Sequence, residues 1–497
     1  MEHLSYCYLV LLIVIFIILK KRHSSQKLNS PPSPPSLPLI GHLHLIKNAL
    51  HISLSSLSSQ YGPIFSLHLG CKSFVVISSP SAVEECFTKN DVVFANRPRT
   101  MAGDRLTYNY AAYVWSPYGH FWRTLRKLTV IELFSSHSLA RSAVTREEET
   151  RKIIRVLKNN RAQRVDLNYL ASVYSFNHMM RGVAGRSCVE EEEIEGEIGR
   201  EKLERGRGLF SVNLSLGMCD FFPVLRWIGY KGMEKSLMSL HKKRDEFSQN
   251  LIDEVKLKND DAKSSLIQTL LSLQESEPEF YTDDVIKSMI LILFIAGTET
   301  TAVTIEWAMS LLLTHPDELH KLRQEIDDNI GHDHLLSDSD LTKLPYLRCV
   351  VNETLRLYPP VPLLLPRYSS ENCTVGGYNV PKGTILLVNA WAMLRNPKLW
   401  DEPNKFNPGR FMDMEMEREG YKFVPFGMGR RACPGSTMGM RTVSLALGTF
   451  VQCFEWEKVL GHEEMENKYK HLMLKKVNPL EAVCVPRHQA ADILSQL

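Results

Sequence analysis

Cys433 stands in the run Phe426-Gly427-Met428-Gly429-Arg430-Arg431-Ala432-Cys433-Pro434-Gly435. Its glycines let the backbone turn tightly and come close to something flat. An aromatic ring lies on one side of the sulfur, and an arginine lies two residues before it. Beyond Gly435, residues 436–447 read as a helix. A cysteine just ahead of a helix N-terminus is favoured as thiolate by amide donors and the helix dipole. A proline at such a start forfeits no hydrogen bond. A lone thiolate suits a single axial metal bond better than a zinc cage. The plainer alternatives are a small buried hydrophobe and a nucleotide loop on Gly427-x-Gly429. The second lacks the preceding strand and the distant ribose-binding acid that such a loop needs.

A second run, Ala296-Gly297-Thr298-Glu299-Thr300-Thr301, falls inside the long apolar stretch 283–314, which reads as a helix. A glutamate and threonines in a buried helix are costly unless satisfied or used. Threonine hydroxyls can bond carbonyls one turn back and open the helix locally, with Gly297 making room. The plainer alternative is a kinked helix with a solvated glutamate. Glu353 and Arg356 lie one helical turn apart. So do Glu148/Arg151, Glu197/Arg200, Glu204/Arg207 and Glu415/Arg418, and exposed pairs of this kind are worth little. Trp122 and Arg126 share one face of a helix, which alone would be an amphipathic surface helix. His462-Glu463-Glu464 is followed by Glu466 rather than the second histidine of a zinc site, and His332-Asp333-His334 reads as an exposed loop. There is no nucleophile elbow and no phosphate-binding glycine loop.

Together these runs resemble the cytochrome P-450 haem-thiolate monooxygenases. The haem-loop pattern of that family, Phe-x-x-Gly-x-Arg-x-Cys-x-Gly, is matched by Phe426, Gly429, Arg431, Cys433 and Gly435. The resemblance implies haem b (iron protoporphyrin IX) with Cys433 as axial ligand and Phe426 beside it. It implies that Trp122, Arg126, Arg367 and Arg431 hold the haem propionates, a task suited to forked guanidinium hydrogen bonds. It places Thr300 over the iron and makes Glu299 the source of protons for the distal oxygen. It gives Glu353, Arg356 and Arg410 a structural role as a buried triad, although Gly409 stands where the family often has glutamate.

The implied reaction inserts one atom of dioxygen into an apolar substrate and reduces the other to water. No flavin or nicotinamide site is evident, so electrons are expected from NADPH through NADPH–cytochrome P-450 reductase, docking on a basic face of Arg123, Lys127, Arg430 and Arg441. A haem-thiolate isomerase or dehydratase, or a non-enzymatic haem sensor, are the alternatives; the Glu299-Thr300 pair speaks against the first. Stretches 85–91, 94–99 and 294–310 look like plant microsomal enzymes, most like the plant family numbered eighty-one. Members of that family act on isoflavonoids, lignans, indolic glucosinolates or terpenoids. The pocket is expected from residues 101–118, 209–216, 291–300, 361–365 and 477–480. Ala296, Val361, Leu363, Leu364 and Leu480 would make it apolar.

The elements that must position these residues span a chain of 497 residues, a length that alone suggests about three domains. With 44% apolar and 23% charged residues the composition is that of a globular protein. A net charge of +3 gives no reason to expect nucleic acid as a partner. The 10 cysteines include no C-x-x-C pair, which favours a reducing compartment. Residues 4–19 are almost all apolar and are followed by Lys20-Lys21-Arg22-His23. That order predicts an uncleaved signal anchor over 1–23, in the endoplasmic reticulum membrane, with the body in the cytosol. A proline-rich hinge over 24–40 leads into one large domain over 41–497. Residues 64–78 predict paired strands. Residues 80–90, 118–158, 234–258, 316–330 and 345–357 predict helices. Glu190–Glu193 predicts a solvated loop, and short strands follow near 374–378 and 384–389. The expected fold is mainly α with small β-sheets, a single large haem-thiolate domain behind the anchor.

Overall fold

The computed structural model describes residues 29–47, 49–159, 164–210, 216–258, 265–412, 420–459 and 473–497. The expected anchor over 1–23 lies outside the described residues, as does the first part of the hinge. The rest of the hinge lies along the domain. The Ser66 amide donates to the Pro32 carbonyl at 2.8 Å, and buried His42 bonds the Pro34 carbonyl through Nε2 at 2.8 Å.

The described strands are β1 (Ile64–Leu69), β2 (Lys72–Ile77), β3 (Arg164–Asp166), β4 (Arg367–Tyr368), β5 (Cys373–Val375), β6 (Tyr378–Val380), β7 (Ile385–Val388), β8 (Phe454–Lys458) and β9 (Glu481–Pro486). They form a four-stranded sheet in the order β1-β2-β7-β4, a three-stranded sheet β3-β9-β8 and the hairpin β5-β6. β1 and β2 pair antiparallel, Ile64 opposite Ile77 and Leu69 opposite Lys72, as the sequence predicts. Gly70 at their turn has φ 55°, and a Cβ there would stand 2.2 Å from the Phe221 carbonyl oxygen, so only glycine fits.

The helices that position the site are α1 (Leu50–Tyr61), α2 (Met101–Leu106), α3 (His120–Thr129), α4 (Leu167–Ala184), α5 (Glu197–Phe210), α6 (Met233–Lys258), α7 (Asp283–Gly297), α8 (Glu299–Thr314), α9 (Pro345–Leu357) and α10 (Ser436–Cys453). The continuous helix expected over 118–158 is interrupted. After α3 the chain widens into a π-turn at Val130–Phe134. Ser135 then turns extended and its hydroxyl caps a new helix, Ser136–Arg141, by accepting from the Ser138 amide at 3.2 Å. The expected helix 283–314 is also two helices, α7 and α8, parted at Thr298 (φ −88°, ψ −71°). The acidic run is not simply solvated. Glu191–Glu193 forms a 3₁₀ turn in which Arg155 grips Glu191 through two bonds of 2.6 Å and Lys202 holds Glu193 at 2.5 Å.

α8 packs against α4, α9 and α10. Val303, Ile305, Ala308, Met309 and Leu312 are fully enclosed there. Burying each large apolar side chain contributes about 1.5–3 kcal/mol. α4 starts at Asp166, whose carboxylate accepts from the Tyr169 amide at 2.9 Å, and ends at left-handed Gly185. Glu353 and Arg356 on α9 are completely buried, and Arg410 Nε reaches Glu353 Oε1 at 3.0 Å. The three expected members of the triad are thus in contact.

Candidate active site

The loop before α10 is shaped by its glycines. Gly427 and Gly429 have φ of 69° and 68°. A Cβ at Gly429 would stand 2.4 Å from Asp91 Oδ1, so the loop backbone can lie against that carboxylate only as glycine. Arg430 completes the seam, its amide donating to Asp91 Oδ1 at 3.1 Å and its Nη1 to Oδ2 at 2.6 Å. The chain then folds back on itself, with the Cys433 amide donating to the Phe426 carbonyl at 2.9 Å. The Cys433 side chain is accessible, but only into a cavity of about 300 Å³ that it lines with Phe426. Enclosure by protein raises the Cys433 thiol, and the Gly435 amide and the Arg126 charge work against that rise.

One wall of this cavity is cationic. Trp122 and Arg126 from α3, Arg367 at the start of β4, and Arg431 all line it. Arg431 is fixed by carbonyls: Nε donates to Ala95 at 2.6 Å, Nη1 to Tyr113 at 3.1 Å and Nη2 to Ser116 at 2.5 Å. Its guanidinium lies over the Trp122 ring at 4.7 Å. Burial first, then Arg367 and Arg126, push its pKa down to about 9. Arg367 is pushed down to about 10, mainly by burial. Its Nη2 donates to the Met428 carbonyl at 2.5 Å. Its Nη1 is buried without a hydrogen bond, the Asp91 Oδ1 oxygen being 3.8 Å away.

A fourth arginine, Arg97, lines the same wall, and the motif reading gave it no role. It donates to the carbonyls of Val114 (3.1 Å), Leu365 (2.9 Å) and Pro366 (2.7 Å). Burial, then Arg431 and Arg367, hold it well below the usual arginine value. Among the described residues Asp91 is the only carboxylate ion-paired with any of these four arginines. A cluster this cationic, with a buried donor left unused, suits a ligand that brings carboxylates. Haem, with two propionates and an iron for Cys433, fits the residues present.

Ala296, Val361 and Leu364 line the cavity, with Thr300 among them. Thr300 donates its hydroxyl to the Ala296 carbonyl at 2.7 Å, and Thr301 donates to Gly297 at 3.0 Å, where the α7–α8 break frees those carbonyls. Leu364 holds a left-handed φ of 52°. Its neighbour Leu363 is a correction to the expected pocket. That side chain turns the other way, into a separate apolar cluster with Leu54 of α1, Phe65 and Leu387. Leu480 is a second correction. It is core, its amide donating to Glu306 Oε1 at 2.9 Å and its carbonyl accepting from Leu167. From this part of the chain Met473 reaches the cavity instead. Of the expected pocket stretch 209–216, residues 211–215 lie outside the described residues.

Glu299 does not face the cavity. It borders a water-sized void of about 10 Å³ together with Ser172, Arg207 and Thr298. Lys475 Nζ lies 2.5 Å and Arg207 Nη2 3.2 Å from Glu299 Oε1. Burial alone would raise this carboxyl, but Arg207 and Lys475 together hold it below its usual range. Of the expected basic face, Arg123 and Lys127 are exposed on α3. Arg430 is tied to Asp91, and Arg441 is paired with Asp338 at 2.9 Å.

Compared with known proteins, the Cytochrome P450 family model matches residues 31–482. The chain is 44% identical over 501 residues to (+)-piperitol/(+)-sesamin synthase of Sesamum radiatum, covering 99% of this chain and 98% of that protein. It is 45% identical to Cytochrome P450 81Q32 of Catharanthus roseus, with 100% of both chains covered. It is 41% identical to Isoflavone 2'-hydroxylase of Glycyrrhiza echinata, covering 99% of this chain and 98% of that protein.

Proposed function

We propose that this chain, which belongs to the cytochrome P450 family and is a haem-thiolate monooxygenase, hydroxylates an apolar plant specialised metabolite of the isoflavonoid or flavonoid, lignan or terpenoid class. The observation that carries the proposal is a cavity with two unlike parts. Cys433 and four arginines furnish one side, and Ala296, Val361 and Leu364 furnish an apolar surface for a substrate. Relatives named as a sesamin synthase and an isoflavone hydroxylase favour the lignan and isoflavonoid classes. The Thr300 hydroxyl in the cavity and a relative named as a hydroxylase speak against the isomerase and haem-sensor alternatives.

Bound haem supplies an iron that activates dioxygen, one oxygen atom entering the substrate and the other leaving as water. Cys433 would provide the thiolate ligand, and Trp122, Arg97, Arg126, Arg367 and Arg431 would hold the carboxylates. Thr300 Oγ1 is the hydroxyl positioned to pass a proton into the cavity. Glu299 takes up protons on the α5 side of the helix break. Their passage to Thr300 requires motion of the glutamate away from Arg207 and Lys475, or a water at the break. Ala296, Val361 and Leu364 orient the substrate and exclude water.

Electrons come from NADPH through NADPH–cytochrome P-450 reductase. Exposed Arg123 and Lys127 supply its docking charge, with Arg430 beside them at Tyr118 (3.2 Å). The apolar run 4–19 and the cations after it anchor the protein in the endoplasmic reticulum membrane, as a single span with the catalytic domain in the cytosol. The test is turnover of a plant metabolite panel in microsomes with reductase, NADPH and isotopically labelled dioxygen, read by mass spectrometry. A product carrying one labelled oxygen is expected. A product formed without label, or without reductase, overturns the proposal.

A further inference from the structure

We infer that Tyr108 is a positioning residue for the arginine wall, tying helices α6 and α7 to the backbone carbonyls that hold Arg97 and Arg431. The inference rests on the reading that those arginines hold haem carboxylates.

Tyr108, Asn109 and Tyr110 are three successive non-glycine residues in the left-handed region, with φ of 51°, 50° and 68°. Side chains of L-residues crowd the following carbonyl there, and such a run persists only where its surroundings hold it. Two anchors do so. On one side the Tyr108 hydroxyl donates to Asp245 Oδ1 of α6 at 3.0 Å, and Lys287 Nζ of α7 meets the same oxygen at 2.9 Å. Burial, reinforced by the Asp245 charge, keeps the phenol protonated and therefore a donor. On the other side the Tyr110 hydroxyl accepts from the Thr100 amide at 2.8 Å and donates to the Thr100 carbonyl at 3.1 Å. The Tyr110 hydroxyl and ring occupy space that a Cβ at Gly103 of α2 would enter, at 2.6 and 2.9 Å.

The chain leaving this turn enters the cavity wall directly. The carbonyls of Tyr113, Val114 and Ser116 accept from Arg431, and Val114 also accepts from Arg97 Nε. These two guanidiniums repel each other and are buried, so fixed carbonyl dipoles are what hold them in place. Freed from Asp245, the turn keeps only its Tyr110 anchor and its local hydrogen bonds, and its left-handed residues are held less tightly. As its φ values relax, the chain direction at residue 111 changes and the carbonyls move off the arginines. Tyr108 does not line the cavity; it acts through the turn.

The test uses the full-length haem-loaded protein. Tyr108→Phe removes one hydroxyl and keeps the ring. Amide exchange over 108–116 is expected to quicken about tenfold while α4 exchanges as before. Transfer of haem to excess apomyoglobin is expected to quicken about threefold. Adding Asn109→Gly, which takes a left-handed φ without crowding, is expected to restore both rates. Unchanged exchange or haem transfer in Tyr108→Phe overturns the inference. So does equal quickening in α4, which would make the residue merely structural, and so does failure of the glycine to rescue. Haem-thiolate absorption in the unaltered chain keeps this result separate from the haem-holding reading, whose failure would appear there.

Discussion

Glu299 and Thr300 are consecutive residues that face opposite sides of the α7–α8 break: Thr300 lines the cavity, while Glu299 lies against Arg207 and Lys475 beside the small void. An acid and an alcohol that adjoin in sequence are therefore separated in space by the helix backbone. Proton transfer between them requires motion of the glutamate or a water at the break. Thr300→Ala should lower the fraction of NADPH converted to hydroxylated product by ~10–100-fold, with peroxide or water formed instead. Parallel measurement of NADPH consumption and product checks this, and unchanged coupling would sink the role given to Thr300.

The ion pairs of Glu299 also carry a pH signature. Its carboxyl is depressed below the ordinary value of 4.5, so the stabilisation is fully present above that value and is lost as pH falls through the lower, folded value. Glu299→Gln should thus unfold at lower urea than the wild type by a constant margin between about pH 7 and pH 5, and the margin should shrink only below about pH 4.5. A margin that shrinks already near neutrality would show that Arg207 and Lys475 do not govern this group.

On α9, Glu353 accepts from Arg356 Nε at 2.6 Å and Nη2 at 2.8 Å, and from Arg410 Nε at 3.0 Å. Glu353→Ala leaves Arg356 buried without its counter-charge and should cost about 3–5 kcal/mol. Arg410→Met should cost less, because Arg410 is the most accessible member, at 11% exposure. Urea unfolding of the two variants provides the comparison. Equal losses would mean that the buried pair is not the centre of the triad.

Leu363 and Leu364 offer a contrast within two residues. Leu363→Ala should destabilise the fold by about 2–5 kcal/mol with the product pattern unchanged, since it empties the small cluster beside the sheet. Leu364→Gly should shift the product pattern and cost less stability than Leu363→Ala, because glycine accepts the left-handed φ that strains leucine and so offsets part of the lost burial. Product profiles and melting curves of both variants decide the matter. The reverse assignment of effects would place the wrong leucine on the cavity.

These contrasts show what the sequence made legible. The Cys433 loop could be read because its chemistry is local: glycines, arginine and cysteine act at fixed spacing on a few neighbouring peptides. Glu353 and Arg356 were readable for the same reason, one turn apart on one helix. Leu363 was misread because a single left-handed residue, Leu364, reverses which side chain turns inward, and nothing in the local pattern announces it. Leu480 was misread because Glu306, distant in the chain, captures its amide. α4 went unexpected since Ser172, Ser175, Asn177 and His178 are buried within it, so its apolar face shows no clean period. Arg97 escaped notice because its partners are backbone carbonyls, which leave no trace in a motif.

The four arginines also bear on how the protein is made. Arg97, Arg126, Arg367 and Arg431 converge from separate parts of the chain, and their mutual repulsion opposes closure of the polypeptide by itself. A ligand that brings negative charge favours the closed form by mass action. Haem is then an assembly partner as much as a reagent. The yield of mature enzyme in a cell should follow the supply of haem during synthesis, and chains completed in a haem-starved cell should be the ones that quality control removes.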